Sequence, residues 1–407
     1  MKSLSRQLKS RAVLVVLSLV VLISGCASTS GGGYSVGPRD GVGQVQNGKP
    51  IDLPTSELSV LIPILDPSIP ENSADYEKEG IWPELRRAEA NRFAVQLRDA
   101  VADTGVFGAV RVSPDDTATA HLYVTGKILE SNGELIKIRI EVKDISGKRL
   151  LNKTYSYTAT EYSLNDPRNP NGDLYLPVFK KAASEIGKLS KKLNAKKVTE
   201  LSGIEEIRFA ESFSRDYFSS YIKTKSGKTK LVGFPSNSDP MLKRVRALRV
   251  KDQMFMDTIQ TDYDSFRNEM NEDYMTWQRQ AYTESKAARE AQAQANMKMF
   301  VGILSVAAGA AIASNSNSSA SAYGGSAVAL AGVSAIASGV RDGKQAEAHR
   351  ESLGELGRSL NIQLAPKVMK IEDRTVELTG TASEQFTVWR GFLREIYEVE
   401  KTPDTVL

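Results

Sequence analysis

The sequence contains very little cysteine and histidine. Of its 407 residues, one is a cysteine, at position 26, and two are histidines, at positions 121 and 349. A single cysteine excludes an internal disulfide framework and a zinc site built from cysteines. His121 begins an apparent strand and His349 lies in a helical stretch rich in Glu and Arg, so we interpret both as structural or surface residues.

Common motifs of catalysis are absent as well. The chain has no Gly-rich phosphate loop, no HExxH and no GxSxG, which excludes the enzyme classes that these motifs define. Carboxylate pairs occur at Asp115-Asp116 and Glu205-Glu206, but any charged chain supplies such pairs. A glycan-active enzyme would need an acid and a base that the sequence does not place. We therefore predict a non-enzymatic protein without cofactor or metal.

The amino-terminal segment has basic residues but no acidic ones. Four basic residues, at positions 2, 6, 9 and 11, precede an apolar run over 12–23. This pattern is typical of an export signal, and the run is too short for a membrane span of ~20 apolar residues. Ile23-Ser24-Gly25-Cys26 resembles the lipobox of bacterial lipoproteins. The resemblance implies a signal peptide over 1–25 and lipid, including palmitate, on Cys26; the alternative is an ordinary secretory signal with an incidental cysteine.

The same resemblance implies a location. Ala27 follows the cysteine where an aspartate would suggest the inner membrane, so we expect a lipid-anchored, mainly periplasmic protein of the outer membrane. The four basic residues of the signal account for the whole formal charge of +4, which leaves 49 Lys and Arg against 49 Asp and Glu. A neutral mature chain offers no electrostatic argument for nucleic acid as a partner.

Residues 26–55 predict a lipidated, flexible tether. They are rich in Gly, Ser, Pro and polar residues and show no apolar period. A flexible segment of this length has a reach of roughly 30 Å. The folded part of the chain can therefore stand away from the membrane.

Residues 56–195 carry the pattern of an α/β periplasmic domain. The predicted order begins with a strand, a helix and two further strands, at 58–65, 82–101, 107–112 and 121–129. The clearest signal follows, where Ile136, Ile138, Ile140 and Val142 alternate with charged residues and so predict a strand with one buried face. Turns at Asn132-Gly133 and Ser146-Gly147 make 121–158 an antiparallel meander. A helix over 178–193 ends the domain.

This order of elements is similar to a known periplasmic domain. Together with Tyr123-Val-Thr-Gly126, Val142-Lys-Asp-Ile-Ser-Gly147 and Ala182-Ala183, it resembles the domain shared by the curli-secretion-channel lipoprotein and lipoprotein activators of penicillin-binding proteins. The resemblance implies a non-enzymatic protein that binds partners or assembles into rings. This chain departs from the secretion channel because it lacks the long alternating hairpins of a β-barrel after the domain.

Residues 204–298 predict a helical region. An amphipathic helix is expected over 204–222, and 223–238 interrupts it with Gly, Pro and Ser. Asp239 before Pro240 is typical of a helix start, and the chain then lacks Gly and Pro as far as position 299. Either one long helix or a broken antiparallel pair fits this pattern, and the helix could pack on its own domain or on a coiled-coil partner.

Residues 299–341 change composition to Ala, Gly, Val and Ile, and predict a hydrophobic helical hairpin. Small residues recur at helical spacing in both arms and let helix backbones approach closely. We predict membrane or oligomer contact through Gly302, Ser305, Gly309, Ala313, Ala331, Ala335 and Gly339. The alternatives are a hairpin packed on the protein's own body and a flexible low-complexity loop.

Residues 342–407 predict a small C-terminal α/β unit. A helix over 345–364 and a strand pair around Glu372-Asp373 precede a helix that Ser383 could cap. On that helix, Trp389, Arg390 and Arg394 could form a partner surface, although a tryptophan on an apolar stripe is more often core.

We therefore expect an α+β protein with a small mixed or antiparallel sheet, a long helical region and the two C-terminal elements above. Its expected function is a lipid-anchored assembly or secretion accessory of the cell envelope, with an unidentified envelope protein as partner and with self-association into a homo-oligomer. The alternative is an outer-membrane regulator of a cell-wall synthase.

Overall fold

The computed structural model describes residues 45–46, 49–50, 58–79, 81–166, 172–287, 289–290, 293, 355, 358–359, 362–371 and 373–401. The strands are β1 (Val45–Gln46), β2 (Lys49–Pro50), β3 (Ser59–Pro63), β4 (Ala109–Ser113), β5 (Leu122–Ser131), β6 (Leu135–Asp144), β7 (Arg149–Thr158), β8 (Ile222–Lys225), β9 (Lys228–Leu231), β10 (Lys367–Ile371) and β11 (Arg374–Leu378). The α-helices are α1 (Ala74–Glu79), α2 (Pro83–Ala102), α3 (Glu161–Leu164), α4 (Leu176–Leu189), α5 (Ala195–Glu211), α6 (Arg215–Phe218), α7 (Pro240–Glu269), α8 (271–287) and α9 (Ala382–Lys401). The predicted α+β class is confirmed.

Five strands form the central sheet in the order β4-β3-β5-β6-β7. Strand β3 runs parallel to both β4 and β5, and α2 connects β3 to β4. Strands β5, β6 and β7 form the predicted antiparallel meander. Its turns contain Gly133 and Gly147, whose φ angles of 88° and 81° are left-handed and favour glycine at both positions.

Alternation along β6 positions the core of the sheet. Ile136, Ile138, Ile140 and Val142 have no exposed surface, whereas the charged residues between them are exposed or half-buried. Helices α2 and α4 pack on each other, and α4 also packs on β7. The buried face of β6 is therefore part of a sheet covered by helices on one side.

The predicted helical region begins earlier and is broken in two places. Helix α5 begins after Asn194, whose side chain accepts a hydrogen bond from the Lys197 N–H, and the segment expected only to interrupt the helices forms the β8–β9 hairpin. Asp239 caps α7 as predicted, because its side chain accepts hydrogen bonds from the backbone N–H groups of residues 241 and 242. Helix α7 ends at Glu269 and Met270 forms a turn before α8, so the long helical stretch is divided into two helices.

Strands β10 and β11 and helix α9 form the predicted C-terminal strand pair and helix. Helix α9 begins at Ala382, two residues earlier than a Ser383 cap allows, and the prediction for Ser383 is wrong. Thr381 Oγ1 accepts from the Glu384 N–H at 3.3 Å, while a Glu384 carboxylate oxygen accepts from the Thr381 N–H at 2.7 Å. This reciprocal arrangement is a capping box.

One hydrophobic core connects the predicted units in the described part of the chain. Buried residues of the sheet, of α5, of α7, of α8 and of the C-terminal segment belong to the same cluster. Helix α7 contacts α2, β4, α5 and α9. The segments predicted as separate α/β, helical and C-terminal units are therefore packed together through α7.

Candidate functional site

A buried polar cluster connects α2, α8 and the loop before α4. Asp173, in that loop, accepts hydrogen bonds from Arg92 and Gln278, each over 3.0 Å, and one from Gln96. The Arg92 and Asp173 side chains are 2% and 6% exposed. Because an unpaired buried charge is strongly destabilising, these contacts hold Asp173 in a structural role that joins three elements.

Glu89 of α2 lies in the same region and is fully buried. It accepts hydrogen bonds from Ser131 and Tyr274, the latter over 2.9 Å, and stands 3.6 Å from Arg86. Burial raises the pKa of Glu89 to about 7, although Arg86 and the two hydrogen bonds lower it. An acid with this pKa can exchange a proton near neutrality, but its carboxyl group is enclosed by protein.

His121 belongs to a second buried cluster. Its Nδ1 accepts a hydrogen bond from the Ser59 backbone N–H over 2.9 Å, and its Nε2 lies 3.3 Å from a carboxylate oxygen of Glu205. Glu205 also pairs with Arg249. Burial by itself would raise the pKa of Glu205, but Arg249 and His121 outweigh burial and lower it.

Ser59 Oγ also lies 2.8 Å from His121 Nδ1. The second cluster therefore places a hydroxyl, an imidazole and a carboxylate next to one another in space. A catalytic triad uses these groups with a reachable nucleophile and a base that is available to it. Here the His121 side chain is 5% exposed and its Nδ1 already accepts a hydrogen bond from the Ser59 backbone. The contacts agree with the structural interpretation of His121.

The prediction that Trp389 belongs to a C-terminal partner surface is wrong. Trp389 is fully buried and stacks on Phe255 of α7, with ring centroids 5.2 Å apart. Arg390 is partly buried, 3.4 Å from Asp252, and Arg394 alone of the three predicted residues is exposed. The apolar face of α9 is buried because it covers α7.

Other predicted site residues lie outside the described residues. They are the lipidation residue Cys26 and the contact residues Gly302, Ser305, Gly309, Ala313, Ala331, Ala335 and Gly339. Across the described ranges, no helix is both long and apolar enough to span a membrane. In the same ranges, no three His, Cys, Asp or Glu side chains are grouped to hold a metal ion.

The β4 edge of the sheet is closed by a side chain. Gln260 of α7 accepts a hydrogen bond from the Val112 N–H over 2.8 Å and donates one to the Val112 carbonyl over 2.9 Å. Beside it, Arg111 pairs with Asp257 at 2.6 Å. The Gln260 amide thus occupies the N–H and C=O groups of Val112, one of the backbone pairs that a neighbouring strand would use.

The β7 edge is open in the part of the chain that the structure describes. Ala159 N–H donates to the Glu134 carbonyl over 2.7 Å, and the register pairs Tyr155 with Ile138. In an antiparallel ladder, inward and outward backbone groups alternate along the strand. The N–H and C=O groups of Asn152, Thr154, Ser156 and Thr158 therefore point away from β6, and all four of these residues are exposed.

Contacts on the helix-covered face hold β7 in place. Tyr155 is buried and donates a hydrogen bond to Glu185 of α4 over 2.9 Å. Lys153 pairs with the same carboxylate at 2.7 Å. These contacts immobilise the strand from one face and leave its edge accessible. We call the outward row of Asn152, Thr154, Ser156 and Thr158 the β7 edge.

Exposed lysines lie on α4, the helix that packs on β7. Lys180, Lys181 and Lys188 of α4 are exposed. A shallow pocket of about 250 Å³ adjoins the end of the strand, and its lining includes Tyr157, Lys180 and the carboxylates of Asp166 and Asp173. Three exposed ammonium groups therefore lie on the helix that covers β7.

Comparisons with known proteins do not place the chain in a family. It matches no known family profile and no curated protein. Among solved structures, it has a likeness to a dodecamer of a PelC variant from Paraburkholderia phytofirmans, with 14% identity over 34% of this chain and 91% of that chain. With a TM-score of 0.21, this likeness identifies neither a family nor a function.

The β7 edge was not singled out from the sequence, although a signal for it exists. The meander ends at position 158, and the following stretch of Asn, Asp and Pro contains no strand pattern. The last strand of a meander has one neighbour unless a distant strand joins it. Its edge position could therefore have been predicted, whereas the closure of β4 by Gln260 could not.

Proposed function

We propose that this chain is a lipid-anchored, non-enzymatic accessory protein of the cell envelope that binds an extended segment of a partner protein on the β7 edge. The observation that supports this proposal is the asymmetry of the sheet, with Gln260 occupying the β4 edge while a ten-residue strand remains unpaired among described residues at the other edge. Strand addition to such an edge is a common mode of peptide recognition. The lipobox supports the anchoring and the outer-membrane location.

Charge determines which partner the edge suits. The edge itself is neutral, and the nearby lysines of α4 favour a segment that carries Asp or Glu. A second copy of this chain would bring its own α4 lysines toward the same surface, so pairing of β7 with β7 is less favourable. Self-association belongs in this proposal to residues 299–341 and is independent of the edge.

Proline substitution on the edge tests the proposal. Thr154→Pro removes an outward N–H group and no hydrogen bond to β6, and proline is tolerated on edge strands. A photo-crosslinking amino acid at Ser156 should form an adduct with one envelope protein in cells, and Thr154→Pro should reduce that adduct about tenfold. The matched Thr154→Val variant keeps the N–H group and should retain the adduct.

Circular dichroism of the purified variants would verify that both are folded, and mass spectrometry of the adduct would identify the crosslinked segment. An adduct that is equally strong in the folded Thr154→Pro variant would show that strand addition is not the binding mode. An adduct between two copies of this chain would show that the second copy, and not an acidic partner, occupies the edge.

A further inference from the structure

The β8–β9 hairpin carries four lysines on one face. The register places Lys223 opposite Lys230 and Lys225 opposite Lys228, with Thr224 opposite Thr229 between them. Residues directly opposite each other in an antiparallel pair lie on the same face of the sheet. All four lysines are exposed, and no ion pair to them is formed by the described residues. We call these residues the lysine face.

Two direct Lys–Lys pairs oppose stable pairing of the hairpin, since like charges facing each other across strands are destabilising. The surrounding sequence does not offset them, because residues 217–238 include no Asp or Glu. The mature chain is formally neutral, so the lysine face is a local concentration of charge rather than part of a generally basic surface. A hairpin whose charges served only to keep it in solvent would not need two facing lysine pairs. It would also not need a flanking sequence without Asp and Glu.

The opposite face fixes the hairpin to the body. Leu231 packs on Gly203 of α5, where an added Cβ would lie 2.8 Å from a Leu231 methyl carbon. Arg208 donates a hydrogen bond to Thr229 Oγ1 over 2.7 Å, and the Thr229 N–H donates to the Ser146 carbonyl over 2.9 Å. The lysine face is therefore presented outward by a hairpin that is attached at its base and near its tip.

The turn beside the hairpin tip extends this basic surface. Lys148 and Arg149 are exposed, directly after the Ser146-Gly147 turn against which the hairpin packs. The acidic residue of that turn, Asp144, is 1% exposed, and its side chain accepts hydrogen bonds from Ser146 and from the Lys148 N–H. The outward charge at this end of the sheet is thus positive.

We infer that the lysine face binds the anionic headgroups of the membrane to which the chain is tethered and so orients the folded body against the lipid surface. This inference rests on the lipid anchor of the proposed function. Lysine ammonium groups on flexible stems act as point charges suited to a fluid phosphate surface, and the face has no aromatic platform for sugar rings. A flexible tether of this length has a reach of roughly 30 Å, so the anchor allows the folded body to approach the headgroups.

Amine labelling of the full-length lipoprotein in vesicles tests the inference. The protein would be reconstituted in vesicles of pure phosphatidylcholine and in vesicles containing 30% phosphatidylglycerol, and treated with an amine-reactive ester in low salt. We expect the four lysines of the face to react about fivefold or more slowly on the anionic vesicles, and to recover in 0.5 M NaCl because salt screens the attraction. Lys180, Lys181 and Lys188 of α4 are internal controls and should react equally on both.

A pair of variants separates charge from structure. The double variant Lys223→Gln with Lys225→Gln should weaken the protection of the two remaining lysines. Each charge removed should lower the affinity for anionic vesicles about fivefold. The matched pair Lys251→Gln with Lys370→Gln, two exposed lysines of α7 and β10, should leave the protection unchanged. Equal labelling of the lysine face on neutral and anionic vesicles would overturn the inference.

Other anions and the anchor itself are tested in parallel. The labelling is repeated with inorganic phosphate and with soluble polygalacturonate at the same charge concentration as the anionic vesicles. If either protects the lysine face as well as the vesicles do, the inference is overturned. Flotation on neutral vesicles reports the lipid anchor separately, and the crosslinking at Ser156 reports the partner site. A failure of the lysine face is therefore distinguishable from a failure of the proposed function.

Discussion

Replacing Glu89 with glutamine tests how the stability of the fold depends on pH. Burial raises the pKa of Glu89 from 4.5 to about 7 in the folded chain. The carboxyl group therefore holds its proton more tightly when folded, and its contribution to stability is fully present below pH 4.5. The contribution is lost as the pH rises from there through 7. A pKa change of this size corresponds to about 3 kcal/mol.

Glutamine keeps a side-chain oxygen that can accept from Ser131 and Tyr274, and it cannot ionise. We expect the difference in unfolding free energy, Glu89→Gln minus wild type, to increase by about 3 kcal/mol between pH 4.5 and pH 8. Urea denaturation followed by circular dichroism at several pH values measures this difference. Taking the difference at each pH cancels the titration of the groups that the two proteins share.

Glu84→Gln is the matched control on the same helix. The Glu84 side chain is 39% exposed and stands 3.7 Å from Arg87, so its removal should change stability by well under 1 kcal/mol at every pH. If the Glu89→Gln difference is the same at pH 5 and pH 8, the buried carboxyl group does not have a raised pKa, and the reasoning from burial fails.

Three further predictions concern other parts of the chain. Cys26→Ala should release the protein from the membrane fraction or leave it unprocessed, as fractionation and mass spectrometry would show; normal maturation with retained anchoring contradicts the lipobox. Trp389→Ala should destabilise the fold by about 3–5 kcal/mol in urea denaturation, because the ring is fully buried against Phe255; a loss below 1 kcal/mol contradicts that packing. Gly309→Leu with Ala335→Leu should shift the protein to smaller species in detergent by light scattering, whereas an unchanged mass would exclude self-association through residues 299–341.

Local patterns predicted much of the central sheet, because its elements obey short-range rules. The alternation over 136–142 has a period that only a half-buried strand satisfies, and the glycine turns on either side leave little choice of connection. The Asp239 cap is predictable for the same reason, because Asp239 and the backbone N–H groups that it binds lie within three residues of each other. Such features depend on the chain's own neighbours.

The remaining features depend on contacts between distant residues. The hairpin over 222–231 has only a weak sequence signal, because its strands are four residues long and its Ser-Gly turn resembles a loop. No Gly or Pro in the sequence marks the break at Met270. The buried role of Trp389 follows from α7, which lies more than 100 positions earlier in the sequence.

Gln260 has a consequence for how many copies of a strand the sheet can accept. If both edges were open, β4 of one molecule could pair with β7 of the next, and this head-to-tail contact would not close on itself. With one edge occupied by a side chain from the same molecule, the sheet can be extended in one direction only. Among the described residues, the central sheet therefore offers one edge for strand addition, and under the proposed function a bound segment ends the growth of that sheet instead of propagating a fibre.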